Sequence, residues 1–89
     1  DLARLCALNA LAALKLAIGD LDRVTRIVKV VGFVSVVPEF TAIPGVINGA
    51  SEFLGEVFGE VGSHARSAVG VPALPLDSAV ELEIIAEFR

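Results

Sequence analysis

Residues 25–37 read TRIVKVVGFVSVV, a run dense in β-branched side chains, and such a run forms an extended strand. Side chains alternate along a strand. That puts Val28, Val30, Val34 and Val36 on one face around Gly32, and Ile27, Val31, Phe33 and Val37 on the other. Both faces are apolar, which predicts an interior strand with something packed on each side. Pro38 stops it.

Upstream, DLARLCALNALAALKLAIG (1–19) is dominated by Leu and Ala and predicts a helix. Asp1, Arg4 and Lys15 form one narrow polar stripe with Asn9 off to its side, so apolar residues fill the rest of the circumference and should be broadly covered. Gly19 supplies the left-handed cap, and Asp20 to Asp22 make the turn into the strand. Downstream, Pro44 suits a first helical turn. In VINGASEFLGEVFGE (46–60), Val46, Ile47, Ala50, Phe53, Leu54, Val57 and Phe58 recur at three and four, with Asn48, Ser51, Glu52, Glu56 and Glu60 opposite. This is an amphipathic helix for the face of a sheet. HARSAVGV (64–71) is a short strand and PALPLDSA (72–79) a Pro-punctuated loop. VELEIIAEF (80–88) is a last strand, with Val80, Leu82, Ile84, Ala86 and Phe88 on one side and Glu81, Glu83, Ile85 and Glu87 on the other. The expected class is α+β in the order α-β-α-β-β, one domain over residues 1–89. The chain starts inside a helix with no Met and no signal peptide, and so few strands are thin for a sheet buried on both faces. Both features lead us to expect an N-terminally incomplete domain.

The composition points outward from the protomer. Apolar residues make up 55% of 89, mean hydropathy is +0.78, and only 20% of residues are charged. A chain this short cannot hide so much apolar side chain alone. Lys15, Gly19, Lys29 and Pro38 interrupt every run before the roughly 20 residues that a membrane-spanning helix needs. Partner subunits are the better cover, so an obligate oligomer is expected. The net charge of −4, with scattered basic residues and neither Trp nor Tyr, argues against nucleic acid. Cys6 is the only cysteine. It excludes an internal disulfide, fits a reducing, cytoplasmic setting, and reads as a small buried hydrophobe in its Leu/Ala helix.

Arg66 heads the 64–71 strand with no neutralising neighbour in sequence. His64, Arg66 and Ala68 share a face by alternation. If the two C-terminal strands pair across their loop, Glu81 comes close to the Arg66 guanidinium. The result is either a structural ion pair at a subunit seam or a small anion site. In the second case the Arg fork grips a carboxylate and Glu81 orients a water. His64 would be a second base or simply a solvated residue. Asn48 is a hydrogen-bonding residue of the second helix, and Glu83 and Glu87 belong to an exposed face. One His and one Cys far apart in sequence make no zinc site. Neither a phosphate loop nor a Ser-His-Asp signature occurs.

Ala65-Arg66-Ser67, Leu74-Pro75 and Val80-Glu81-Leu82-Glu83 resemble the C-terminal signature of the YjgF/Rid family, also known as the L-PSP endoribonuclease family. NALAALKLAIGDLDRV (9–24) followed by a strand is similar to that family's front helix, so the resemblance covers essentially the whole chain. It implies a chorismate-mutase-like mixed sheet backed by two helices, assembled as a homotrimer with ligand sites in the intersubunit clefts. It also implies that catalytic members hydrolyse enamines or imines of 2-amino acids to 2-keto acids and ammonia. No cofactor is needed, because the imine carbon is already electrophilic. Carried over, Arg66 holds the substrate carboxylate and Glu81 positions the attacking water, with Asn48, His64 and Ser67 as further substrate contacts. The chain departs from the family in having His64 where active deaminases commonly have proline, and in lacking the front strand hairpin and its tyrosine. The alternative expectation is a non-catalytic trimer that binds a small carboxylate. Ribonuclease activity is disfavoured by the acidic balance and the missing aromatics.

Overall fold

In the computed structural model, which describes residues 1–89, helix α1 spans Leu2–Ile18. Its ends follow the sequence. The Asp1 carboxylate accepts from the Arg4 backbone N–H at 3.1 Å, and Gly19 closes the helix at φ 92, donating to the Lys15 carbonyl at 2.7 Å. Strand β1 (Val24–Ser35), helix α2 (Ile43–Phe58), strand β2 (Ala65–Val71) and strand β3 (Val80–Phe88) follow. The order is α-β-α-β-β and the class α+β.

The sheet runs β2-β1-β3, so the long strand is central, but its neighbours are not the ones that sequence order suggests. β2 lies parallel to β1, with α2 as the crossover that parallel pairing requires, and β3 lies antiparallel on β1's other side. β2 and β3 therefore do not pair across their loop.

Both helices pack on one face of the sheet. Ala3 and Ala7 of α1, Ile47 and Ala50 of α2, Val34 of β1 and Val80 of β3 form one buried cluster; Leu11, Ile18, Val24, Ile27, Val30 and Leu54 form the second. Ile27 and Val30 share this face although they are three residues apart, because the register with β3 slips between Ile27 and Lys29. Val28 is the extra residue of a β-bulge, and the bulge overturns the alternation expected before it. Ile27 is fully buried under the helices, whereas strict period two assigned it to the opposite face.

Only this face is covered. Fifteen of the 89 residues are buried, and the opposite face leaves Val69 at 42% and Ile85 at 50% exposed. The broad cover expected for α1 is likewise absent within the protomer: Leu2, Leu5, Leu8 and Leu16 are each half or more exposed. No helix is long and apolar enough to cross a membrane.

Candidate functional site

The parallel β1-α2-β2 unit sets Arg66 beside the polar stripe of α2. Arg66 is in register with Val30, a helix-facing residue, so its side chain rises toward α2. Next along that face of β2 come Ala68 and Gly70. At Gly70 a Cβ would meet Val36 Cγ2 at 2.7 Å and Ile43 Cδ1 at 2.8 Å, so the start of α2 sits close to the strand. Asn48, Ser51 and Gly55 follow one another at three and four along α2 and look down on Arg66. The chain leaving α2 turns through Gly59–Gly62 and re-enters β2 past Ser63 and His64. These segments enclose a cleft of about 430 Å³ lined by Asn48, Ser51, Gly55, Gly59, Gly62, Ser63, His64 and Arg66, with no apolar side chain among them.

Hydrogen bonds in the cleft run in one direction. Arg66 Nη1 donates to Asn48 Oδ1 at 2.8 Å and to Ser51 Oγ at 3.2 Å. A guanidinium can only donate, so Asn48 must turn its oxygen to Arg66, which leaves its amide N–H groups free. Ser51 accepts from Arg66 and directs its own proton to His64 Nε2 at 2.9 Å. His64 Nδ1 lies 2.6 Å from the Gly62 carbonyl, an acceptor, so Nδ1 carries the proton and Nε2 presents the lone pair. Both Nη1 protons of Arg66 are used, while Nη2 and Nε meet no acceptor in the protein. Nor does Arg66 have a carboxylate partner, since the chain's one ion pair is Arg4 with Glu56. That remaining edge of the fork has the geometry that grips a carboxylate through two parallel N–H···O bonds.

Two expected members lie elsewhere. Glu81 is in register with Phe33, on the sheet face away from the helices, and β1 separates its strand from β2. Phe33 is also the partner of Val69, three residues beyond Arg66. Two strand spacings and three residue rises put the backbones of Arg66 and Glu81 about 14 Å apart, with their side chains on opposite faces. The expected Arg66–Glu81 pair does not exist within a protomer, because the loop carries β3 past β2 to the far side of β1. Ser67 pairs with Val31 and points to the same outer face as Glu81, so it is not a cleft residue. Ser51 was missed: on a helical wheel it is one more polar surface residue, and nothing local marks it as the link between Arg66 and His64. No group of three or more metal-ligating side chains converges anywhere in the chain. A larger groove, about 650 Å³ between α1 and β3, is lined only by apolar residues such as Leu14, Ile84 and Phe88 and offers no chemistry.

The fold and cleft define a class: an α+β protomer with two helices on one face of a mixed sheet and a cation-anchored polar cleft at the α2–β2 junction. The family profile described as "YjgF/chorismate mutase-like, putative endoribonuclease" matches residues 1–88, and the chain belongs to that family. Protein TCP17 of Trypanosoma cruzi is 51% identical over 88 residues, which are 98% of this chain and 55% of that protein. The crystal structure of Atu1372 from Agrobacterium tumefaciens, a protein of unknown function, superposes with a TM-score of 0.96 at 49% identity, over 98% of this chain and 57% of that one. A "putative endoribonuclease" from Shewanella oneidensis MR-1 superposes with a TM-score of 0.93 at 38% identity, over 97% of this chain and 57% of that one. The chain thus spans a little over half the length of these relatives.

Proposed function

We propose that the protein hydrolyses reactive 2-imino acids, or their enamine tautomers, to 2-keto acids and ammonia. The observation that carries this reading is the Arg66 guanidinium, unpaired by any carboxylate, with Nη2 and Nε open to a cleft that also offers the Asn48 amide. A 2-imino acid presents a planar carboxylate to that fork and holds its electrophilic C=N carbon one bond away. Water adds to the carbon, the carbinolamine collapses, and no cofactor is required.

The working form in this proposal is a homotrimer with its clefts at the subunit boundaries. The uncovered outer sheet face, with Val69 and Ile85 exposed, and the bare leucines of α1 are the apolar surfaces such an assembly would bury. Glu81, on that outer face, then belongs to the seam rather than to the protomer's own Arg66 cleft. Light scattering should count three subunits; a monomer would remove this part of the proposal.

Arg66→Ala should lower keto-acid release from an imine generated in situ by at least about tenfold, the loss of one or two charge-assisted hydrogen bonds of about 1.5–3 kcal/mol each. Arg66→Lys keeps the charge but loses the fork and should recover only part of the rate. Turnover by Arg66→Ala equal to that of the unaltered protein would refute the proposal. A second reading, a binding protein for small carboxylates, is favoured by the same free fork, because holding a carboxylate needs nothing more. Calorimetry with 2-ketobutyrate separates the two: saturable binding without imine hydrolysis selects the second. The ribonuclease role in the family description suits neither the net charge of −4 nor the absence of Trp and Tyr.

A further inference from the structure

If water attacks an imine held on Arg66, something in the cleft must take its proton, and the Glu81 of the same protomer is on the other side of the sheet. We infer that the Ser51–His64 pair is the proton-transfer device of this site, with His64 as general base and Ser51 as the relay between it and the attacking water. The inference rests on the imine-hydrolysis reading and adds catalytic residues to it.

The geometry supplies each requirement of a base. Its lone pair is directed: the Gly62 carbonyl holds the proton on Nδ1, so Nε2 is bare and points at Ser51 Oγ, 2.9 Å away. The relay is polarised: Arg66 Nη1 donates to the same Oγ at 3.2 Å, favouring the state in which Ser51 has passed its proton on. The anchor and the base are coupled through one oxygen, so a carboxylate on the free edge of Arg66 sits beside the relay. The protomer itself brings no acid to the cleft. Of the residues lining it, from α2, the turn after it and β2, Arg66 and His64 are the only titratable ones. Three glycines line the walls, leaving space above Ser51 for a small substrate and a water.

The proton and electron movements close. Water bonded to Ser51 Oγ attacks the imine carbon; the C–O bond forms and the C=N π pair moves to nitrogen. The water proton passes to Ser51 as the Ser51 proton passes to His64 Nε2. The imidazolium then returns a proton, through the same hydroxyl, to the carbinolamine nitrogen. The carbinolamine hydroxyl proton then passes by the same Ser51–His64 route to that nitrogen, which leaves as ammonia as the C–N bond breaks and the C–O bond becomes the keto-acid carbonyl. The net reaction consumes one water and leaves Ser51 and His64 unchanged.

The test compares unaltered protein, Ser51→Ala, His64→Asn and Arg66→Ala, each as the full-length protein. It measures single-turnover keto-acid release and, separately, calorimetric binding of 2-ketobutyrate. A positioned base contributes typically about 10²–10⁴-fold. His64→Asn and Ser51→Ala should each lower kcat by about a hundredfold or more while KM and 2-ketobutyrate affinity stay within a few-fold. The double variant should be little slower than either single one, because the two act as a unit. The kcat–pH profile of His64→Asn should also lose its acid-side limb. Retained binding shows that the variants are folded around the cleft. Turnover by His64→Asn within about threefold of the unaltered protein, or an acid limb that survives, overturns this inference and leaves the Arg66 reading standing. No acceleration of imine hydrolysis by the unaltered protein overturns both.

Discussion

Gly32→Ala asks whether a single missing methyl group sets the height of α2 above the sheet. A Cβ at residue 32 would stand 2.5, 2.6 and 2.8 Å from Cδ1, Cγ1 and Cγ2 of Ile47. Carbon–carbon contacts are comfortable at about 3.5–4.0 Å, so the helix or the Ile47 side chain must yield by about 1 Å. Ile47 cannot swing aside: it is fully buried, packed with Ala3, Ala7, Val34, Ala50 and Val80. Overpacking of this kind costs about 1–3 kcal/mol, and a clash with three atoms of an immobile neighbour belongs in the upper half of that range. For a domain of this size a loss of about 2–3 kcal/mol lowers Tm by about 10–20 °C. Ile47→Ala alone leaves a cavity and costs about 2–5 kcal/mol. In the double variant the new methyl partly fills that cavity, so its loss should fall short of the sum by about 1–3 kcal/mol. Urea unfolding followed by far-ultraviolet circular dichroism, at one fixed protein concentration, measures all four corners of the cycle. Asn48 is the next residue along α2 and Ser51 lies one turn on, so lifting the helix also stretches their bonds to Arg66. Gly32→Ala should therefore weaken 2-ketobutyrate binding about tenfold, and adding Ile47→Ala should restore part of it. Losses that add within about 0.5 kcal/mol would refute the reasoning, because independent sites behave that way.

The acid side of the stability curve should carry a contribution from Glu56. Its carboxylate meets Arg4 Nη2 at 2.8 Å, and that hydrogen bond, with the attraction of the charge, holds the Glu56 carboxyl below its ordinary range. A carboxyl depressed in the folded state stabilises above its unfolded value and stops doing so as pH falls through the folded one. Glu56→Gln should be slightly less stable than the unaltered protein at neutral pH, and the gap should close by about pH 2 and shrink with salt; a gap that widens on acidification would contradict the assignment. Cys6 is half-buried, its Sγ lies 3.6 Å from the Val80 carbonyl, and burial pushes its thiol up. Disulfide-exchange reagents should therefore modify it slowly in the folded protein and fast in urea; rapid stoichiometric reaction at neutral pH without denaturant would contradict this.

The elements were legible because each is written in local chemistry. A Leu/Ala run between Asp1 and Gly19 forms and ends α1. β-branched density forms β1, and strict alternation from Val80 to Ala86 orients β3 correctly. Sequence patterning failed at the bulge near Val28, where one extra residue reverses the faces of what precedes it. Composition does not encode a bulge; pairing with β3 does. The candidate site was half legible. Arg66 stood out as a cation at the head of an otherwise apolar strand, and Asn48 and His64 lay near it in the motifs. Ser51 carried no signal of its own, since a serine among glutamates on the polar side of a helix looks like solvated surface.

What the amino-acid order by itself determined is the type and order of the helices and strands, which helix faces are apolar, and that these 89 residues carry more apolar side chain than they bury among themselves. Those follow from interactions within a few residues and from the ratio of surface to volume. Which strands are neighbours belongs to the tertiary structure alone. Inserting β1 between β2 and β3 parted Arg66 from Glu81 and sent them to opposite faces, while the α2 crossover delivered Ser51 and Asn48 to the guanidinium. Pairing is fixed by how the apolar faces of all five elements pack at once, and no window of neighbouring residues contains that information.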